Sequence, residues 1–180
     1  MLIAEVLLQR TTAAAVSSAY VPLVSRDPTQ EAVVAAPSKE IGDLIAPLGL
    51  AKRVTYLERF SGQLLDRHSG QMPRDRPDLL NLYGVGEYTA RSVLAHSHGE
   101  PVSAVDTNVE RLLSRFFGED PDKVDIQDLA DDLTPPERSS DILHAMLDFA
   151  AAVCTARSPN CSDCLIRPGC DSPEAGGETD

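Results

Sequence analysis

Four cysteines, Cys154, Cys161, Cys164 and Cys170, stand within the last 27 residues of a 180-residue chain, in the spacing C-x6-C-x2-C-x5-C. Nothing in the sequence suggests secretion, so clustered thiols point to metal rather than to disulfides. Thiolates bind zinc or iron–sulfur clusters. Structural zinc sites usually carry two close C-x2-C knuckles, and this stretch has one. A compact loop that supplies all four ligands suits a cubane [4Fe-4S] cluster, with zinc as the alternative.

Two further groups could do chemistry. In "NLYGVGEYTARSV", residues 81–93, Gly84 and Gly86 bracket Val85 directly before a helix-forming run. Glycines there allow positive φ or close backbone approach, and the N–H groups of Val85, Gly86 and their neighbours could then grip an anion at the helix start. An ordinary helix–helix turn is the other reading. In "SAVDTNVERLL", Asp106 opens a helix. It could be only an N-cap, worth ~1 kcal/mol. It also follows Gly86 by 20 residues, which is enough for the intervening helix to run out and a turn to bring the carboxylate back.

The elements that must position these groups are nearly all helices. "LIAEVLLQRTTAAAVSSAYVPLV" has apolar residues at helical spacing. "PSKEIGDLIAPLGL" starts with Pro37 and Ser38 as N-cap and ends near Gly49. "AKRVTYLERFSGQLLDRHSG" sets Val54, Leu57, Leu64 and Leu65 on one side and closes at Gly70. "MPRDRPDLLNL" is a turn followed by a short helix. "VDTNVERLLSRFFG" runs from an Asp106 cap to Gly118, and "SSDILHAMLDFAAAVC" is the last strong helix before the cysteines. The tail "DSPEAGGETD" is polar and reads as frayed. No internal repeat is visible.

Hydrophobic residues make up 42% of the chain, a globular composition. No apolar run reaches the ~18 residues of a membrane span. The start, "MLIAEVLLQRTT", begins inside a helical run and lacks the basic region and cleavage site of a signal peptide. The formal net charge of −12 opposes nucleic-acid binding. It is unevenly spread: residues 1–118 hold 13 acidic and 12 basic side chains, residues 119–180 hold 15 and 4. A DNA-facing surface could lie in the first part.

Together the cysteine spacing, the G-V-G hairpin and the "VD" acid resemble the helix-hairpin-helix DNA glycosylases of the endonuclease III superfamily, over nearly the whole chain. "IAEVLLQRTTAAAV", "GVGEYTA", "AVDTNV" and "MLDFAAAVC" look most like the mismatch thymine (T/G) glycosylases. The adenine glycosylases of A/G mismatches come next. The resemblance implies an all-α fold of two helical domains with a cleft between them. Residues 13–105 would form a six-helix domain with the helix-hairpin-helix; residues 1–12 plus 106–180 would form the iron–sulfur cluster domain.

It also implies roles. Leu82, Gly84, Val85 and Gly86 would hold a DNA phosphate. Asp106 matches the catalytic aspartate, and Glu5 an acidic residue lining the base pocket, although a solvated helix residue is the other reading of Glu5. Gln9 and Arg10 match the stretch that fills the gap left by a flipped base; a polar helix face is their alternative. Tyr88 stands where bifunctional glycosylase/lyases carry a lysine, which implies a monofunctional enzyme that uses water. The expected protein is a monomeric base-excision enzyme acting on mismatched double-stranded DNA, cytoplasmic and nucleoid-associated in a prokaryote. It would carry a structural [4Fe-4S] cluster and remove thymine or uracil opposite guanine. Adenine excision is the alternative, disfavoured because the chain ends ten residues after Cys170. A non-catalytic DNA-binding iron–sulfur protein is the alternative of another class. Two positions depart from the family pattern: Tyr83 replaces a proline, and Glu87 replaces a basic residue where it should weaken phosphate binding.

Overall fold

The computed structural model describes residues 1–49 and 52–172, so the part of the tail from residue 173 on lies outside the described residues. All regular elements among the described residues are helical. Packing divides the chain into two units, Met1–Val93 and Leu94–Asp180. Residues 1–12 thus pack within the first unit and residues 94–105 within the second.

The first unit contains α1 (Leu2–Leu8), α2 (Ala13–Arg26), α3 (Gln30–Ala35), α4 (Ser38–Ile45), α5 (Lys52–His68), α6 (Arg76–Leu80) and α7 (Glu87–Val93). The opening helical run is broken at residues 9–12. Arg10 there takes φ +56°, and Thr12 restarts the helix by accepting the Ala15 N–H at 3.3 Å. The cap of α4 is Pro37; Ser38 is its first residue, and the Ser38 hydroxyl instead donates to Glu58 on α5. Gly49 and Gly70 both lie at positive φ, after a 3-10 turn (Ala46–Leu48) and after α5. Helix α1 packs on α2, α5 and α7, and α3 on α5. Leu57 and Leu64 on α5 are fully buried, with Val6, Leu7, Leu23, Val33, Ile41 and Leu79. Val54 and Leu65 are half-buried. Burial stabilises each such aliphatic side chain by about 1.5–3 kcal/mol.

One buried residue of this unit is a cation. Arg53 on α5 is 0% exposed. Its guanidinium donates to the carbonyls of Val6 (3.3 Å), Leu48 (2.6 Å) and Gln9. Burial pushes it below the usual arginine range. Val6 and Gln9 belong to the C-terminal end of α1, where carbonyls lack helical partners. Arg53 therefore satisfies the end of α1 and sets the turn that presents Gln9 and Arg10.

The hairpin joins α6 to α7. Asp75 caps α6 by accepting the Asp78 N–H at 2.9 Å. Leu82 and Val85 point inward at 2% and 8% exposure, and the Val85 N–H closes the turn on the Leu82 carbonyl at 3.1 Å. That amide is committed to the turn, so the expectation that it grips an anion is corrected. Gly84 has φ +82°, and a Cβ there would stand 3.0 Å from the Tyr56 ring. Gly86 has no positive φ, and a Cβ there would meet nothing within 4 Å.

The second unit begins with a π-helical turn (Leu94–His98), followed by α8 (Thr107–Phe117), α9 (Ile126–Asp132), α10 (Ser139–Ala152) and the cysteine loop. Its core is Val109, Leu112 and Leu113 of α8 against Ile126, Ala130, Met146 and Ala150. Gly118 ends α8 in the left-handed conformation at φ +65°.

The two hairpin glycines make a stability contrast. Gly84→Ala should destabilise the protein by about 2 kcal/mol, since it adds left-handed strain to a clash with Tyr56. Gly86→Ala should cost less than about 1 kcal/mol. Denaturant unfolding of both variants checks the difference.

Candidate active site

Glu5 lies on α1 at 8% exposure, and its Oε1 accepts the Ser92 hydroxyl at 2.6 Å. Ser92 sits on α7 one turn after Tyr88, on the same face. One hydrogen bond thus links the helix of Glu5 to the helix of Tyr88. Tyr88 is half-buried; Gln9 is half-buried and Arg10 exposed in the turn after α1. Glu5, Gln9, Arg10, Tyr88 and the hairpin residues Leu82, Gly84, Val85 and Gly86 all belong to the first unit.

Glu87, the first residue of α7, does not stand as a free anion. Arg76 donates Nε to its Oε2 at 2.8 Å and Nη2 to its Oε1. The two hydrogen bonds from Arg76 hold the Glu87 carboxyl below the usual carboxylate range, and Arg76 is raised in turn. Both side chains are about half exposed, so the pair adds little stability. Its consequence is local charge: the acid at the hairpin is neutralised by a partner eleven residues upstream.

Asp106 and the cysteines belong to the second unit. Asp106 caps α8. Its Oδ1 accepts the Asn108 and Val109 N–H groups, each at 2.8 Å, and its Oδ2 accepts the Asn108 side-chain amide at 2.8 Å. From there the bonds continue along α8. Arg111 donates Nη1 to Asn108 Oδ1 at 3.1 Å, Nε to the Cys154 carbonyl at 3.1 Å and Nη2 to the Ala150 carbonyl at 3.0 Å. Arg115, one turn further, donates to the Thr155 carbonyl at 2.8 Å and to Cys154 Sγ at 3.7 Å. The carboxylate and the cysteine loop are therefore tied to one helix by a continuous set of hydrogen bonds.

Cys154, Cys161, Cys164 and Cys170 are half-buried free thiols. All four line one small pocket, partly open to solvent, together with the apolar side chains Leu112, Phe116, Phe149 and Ile166. Among the described residues no three His, Cys, Asp or Glu side chains converge so as to hold a single metal ion.

Ser92, Arg76, Asn108, Arg111 and Arg115 were not singled out from the sequence. The signal for the arginines was present: Arg111 and Arg115 stand four apart on one face of α8, four and eight residues after Thr107.

The Asp106 cap predicts a graded stability loss. Asp106→Asn keeps the two backbone acceptor bonds and loses the one from Asn108, at about 1 kcal/mol. Asp106→Ala loses all three, at about 2 kcal/mol. Thermal or denaturant unfolding reads both; equal losses would mean that the cap bonds do not carry the effect.

Comparison with known proteins places this geometry. Residues 3–136 match the family described as HhH-GPD superfamily base excision DNA repair protein. The chain is 37% identical to the thymine/uracil-DNA glycosylase of Pyrobaculum aerophilum over 175 residues, 92% of this chain and 76% of that protein. It is 33% identical to the adenine DNA glycosylase of Homo sapiens over 93% of this chain but only 32% of that one. Among solved structures, a thermostable thymine-DNA glycosylase superposes with a TM-score of 0.90 at 31% identity, covering 96% of this chain and 82% of the other. An all-helical chain with a glycine hairpin, a capped aspartate and this degree of identity belongs to the HhH-GPD superfamily of base excision DNA repair proteins.

Proposed function

We propose that this chain is a monofunctional DNA glycosylase that hydrolyses the N-glycosidic bond of thymine or uracil mispaired with guanine. The observation that carries the reading is the Asp106 carboxylate, oriented at the start of α8 by three N–H groups. A carboxylate offers about four acceptor sites, so one remains on Oδ2. A base flipped from the duplex leaves as positive charge builds on the deoxyribose. Asp106 stabilises that charge and orients a water, which adds its hydroxyl to C1′ while the departing base takes up a proton. Glu5 lines the base pocket, held by Ser92. Gln9 and Arg10 fill the gap in the duplex, and the hairpin holds the DNA phosphate, with Leu82 and Val85 closing its turn and Gly84 and Gly86 shaping its backbone. The open space around Gly86 supports that last role, because nothing in the chain itself requires a glycine there.

Tyr88 supports hydrolysis over lyase chemistry, since a phenol forms no Schiff base. The three lysines have other surroundings. Lys39 pairs with Asp43, Lys123 with Asp120, and Lys52 lies over the Tyr56 ring. Thymine and uracil are favoured over adenine by the names of the relatives that share the greater part of their length with this chain.

The same proposal includes a [4Fe-4S] cluster on Cys154, Cys161, Cys164 and Cys170. A cubane takes one thiolate at each of four irons, so its ligands surround a cavity; a zinc ion needs four sulfurs converging at about 2.3 Å on one point. Four thiols lining one largely apolar pocket are the donor set that such a cluster takes. When bound, the cluster serves as a structural cross-link of the loop. We further propose that the first unit serves hairpin and pocket, that the second holds Asp106 and the cluster, and that the enzyme acts as a monomer in the cytoplasm. No helix among the described residues is long and apolar enough to cross a membrane.

The decisive experiment is single-turnover excision on U/G, T/G, A/G and A/oxidised-G duplexes. Release from U/G and T/G is expected, with strand cleavage only after alkali and no borohydride-trapped adduct. Asp106→Asn should lower release by orders of magnitude while retaining DNA binding. Adenine release alone would support the adenine reading, and binding without any release the non-catalytic one. Separately, anaerobically purified protein should be brown, absorbing near ~400 nm. Stoichiometric zinc without iron would defeat the cluster assignment.

A further inference from the structure

Lys52, Tyr56, Arg59 and Gln63 recur at i, i+4, i+7 and i+11 on α5, and so form one stripe along the helix. At one end Gln63 clamps the hairpin: its Oε1 accepts the Tyr83 N–H at 2.6 Å and its Nε2 donates to the Asn81 carbonyl at 3.1 Å. Next to it, Tyr56 packs under Gly84 and meets the Tyr83 ring edge-on at 5.5 Å and 68°. The two cations of the stripe lie on these rings. The Arg59 guanidinium is 4.5 Å from the centroid of Tyr83, and Lys52 Nζ is 5.5 Å from that of Tyr56. Both cations are exposed, and Tyr83 is 38% exposed.

A ring face orients a cation without neutralising it. That leaves the charge of Lys52 and Arg59 available in a chain of net charge −12. Arg26, Lys39, Arg76, Lys123 and Arg138 are all paired with carboxylates; among the described residues Lys52 and Arg59 have no such partner. The hairpin beside them has an acid at Glu87 that consumes Arg76. The positive charge that the hairpin lacks is thus supplied by the helix that supports it.

We propose that this stripe of α5 is a second grip on the DNA sugar-phosphate backbone, adjoining the hairpin, in which Arg59 and Lys52 each contact a phosphodiester. They are separated by seven residues, about 10 Å along the helix axis, so each serves a separate phosphate. The proposal rests on the reading of the hairpin as the DNA-holding element. It gives Tyr83 a role that proline could not fill, since the ring is the platform for Arg59.

The test measures affinity by fluorescence anisotropy across a potassium chloride series, on a duplex with a tetrahydrofuran abasic analogue opposite guanine and on its fully paired counterpart. Each phosphate contact contributes about one unit to the slope of log K against log salt. Lys52→Gln and Arg59→Gln should each lower the slope by about one, and the double variant by about two, equally on both duplexes, because phosphate contacts carry no sequence information. Arg59→Lys should keep the slope, and Lys123→Gln, with the same charge loss in the acid-rich second unit, should leave it unchanged. Circular dichroism confirms that the double variant folds. If the parent binds and the double variant keeps its slope, the stripe proposal falls while the hairpin reading stands. If the parent binds neither duplex, both fall.

Discussion

Helix α8 is the constraint on which the second unit depends. Its first turn must dispose of unpaired N–H groups, and Asp106 does this. The end of α10 and the residues just after it have the opposite problem, carbonyls without partners, and Arg111 answers it at Ala150 and Cys154. Arg115 extends the same service to Thr155 and Ala156 and places an N–H on Cys154 Sγ. A helix of 11 residues thus holds the carboxylate at one end and the root of the cysteine loop along its side. Shifting α8 by one residue would disconnect both, which binds the chemistry proposed for Asp106 to the integrity of the thiol loop.

The first unit solves a problem of charge. The hairpin proposed to hold a polyanion carries an acid at the start of α7, which would repel that ligand. Arg76 removes that repulsion by pairing, and the price is that Arg76 itself is no longer available. Tyr83 and Tyr56 offer a different arrangement for Arg59 and Lys52, in which orientation is gained and the charge stays available. The two departures from the family pattern, Tyr83 and Glu87, are therefore connected. The ring that replaces proline holds a cation on the hairpin whose following helix opens with the acid that replaces one.

Much of this could be read from residue types, for identifiable reasons. The Asp106 cap and the Gly118 terminator were legible because caps and left-handed glycines are dictated by backbone chemistry within one turn. The cysteine cluster was legible because four closely spaced thiols stand out in a sequence, and they line one pocket of the fold. The break at residues 9–12 was not, because the apolar period runs across it and only Thr12 marks the restart. Helices α3 and α9 were passed over: α3 has six residues and α9 has seven, too few to show a period. Ser38 resembled a cap by type, but its hydroxyl is claimed by Glu58, twenty residues away. The same holds for Glu5 with Ser92 and for Arg76 with Glu87. A side chain's long-range partner has no local signature, so the buried acid on α1 and the neutralised acid at the hairpin looked alike.

The capping role of Asp106 need not compete with the catalytic role proposed for it. A cap needs acceptors that point at the first amides of the helix; a group that stabilises a developing cation needs a carboxylate held still with an oxygen to spare. Here the two backbone amides converge on Oδ1, and Oδ2 takes only the Asn108 side chain. The cap therefore fixes the carboxylate through one oxygen and leaves capacity on the other. In the proposed reaction, fixing it in advance means that the charge is in place before the glycosidic bond begins to break, and that no reorganisation is required at the transition state. An asparagine would preserve nearly all of the fixing and none of the charge, which is why the capping bonds make Asp106 a sharper probe of the chemistry than an unconstrained carboxylate would be.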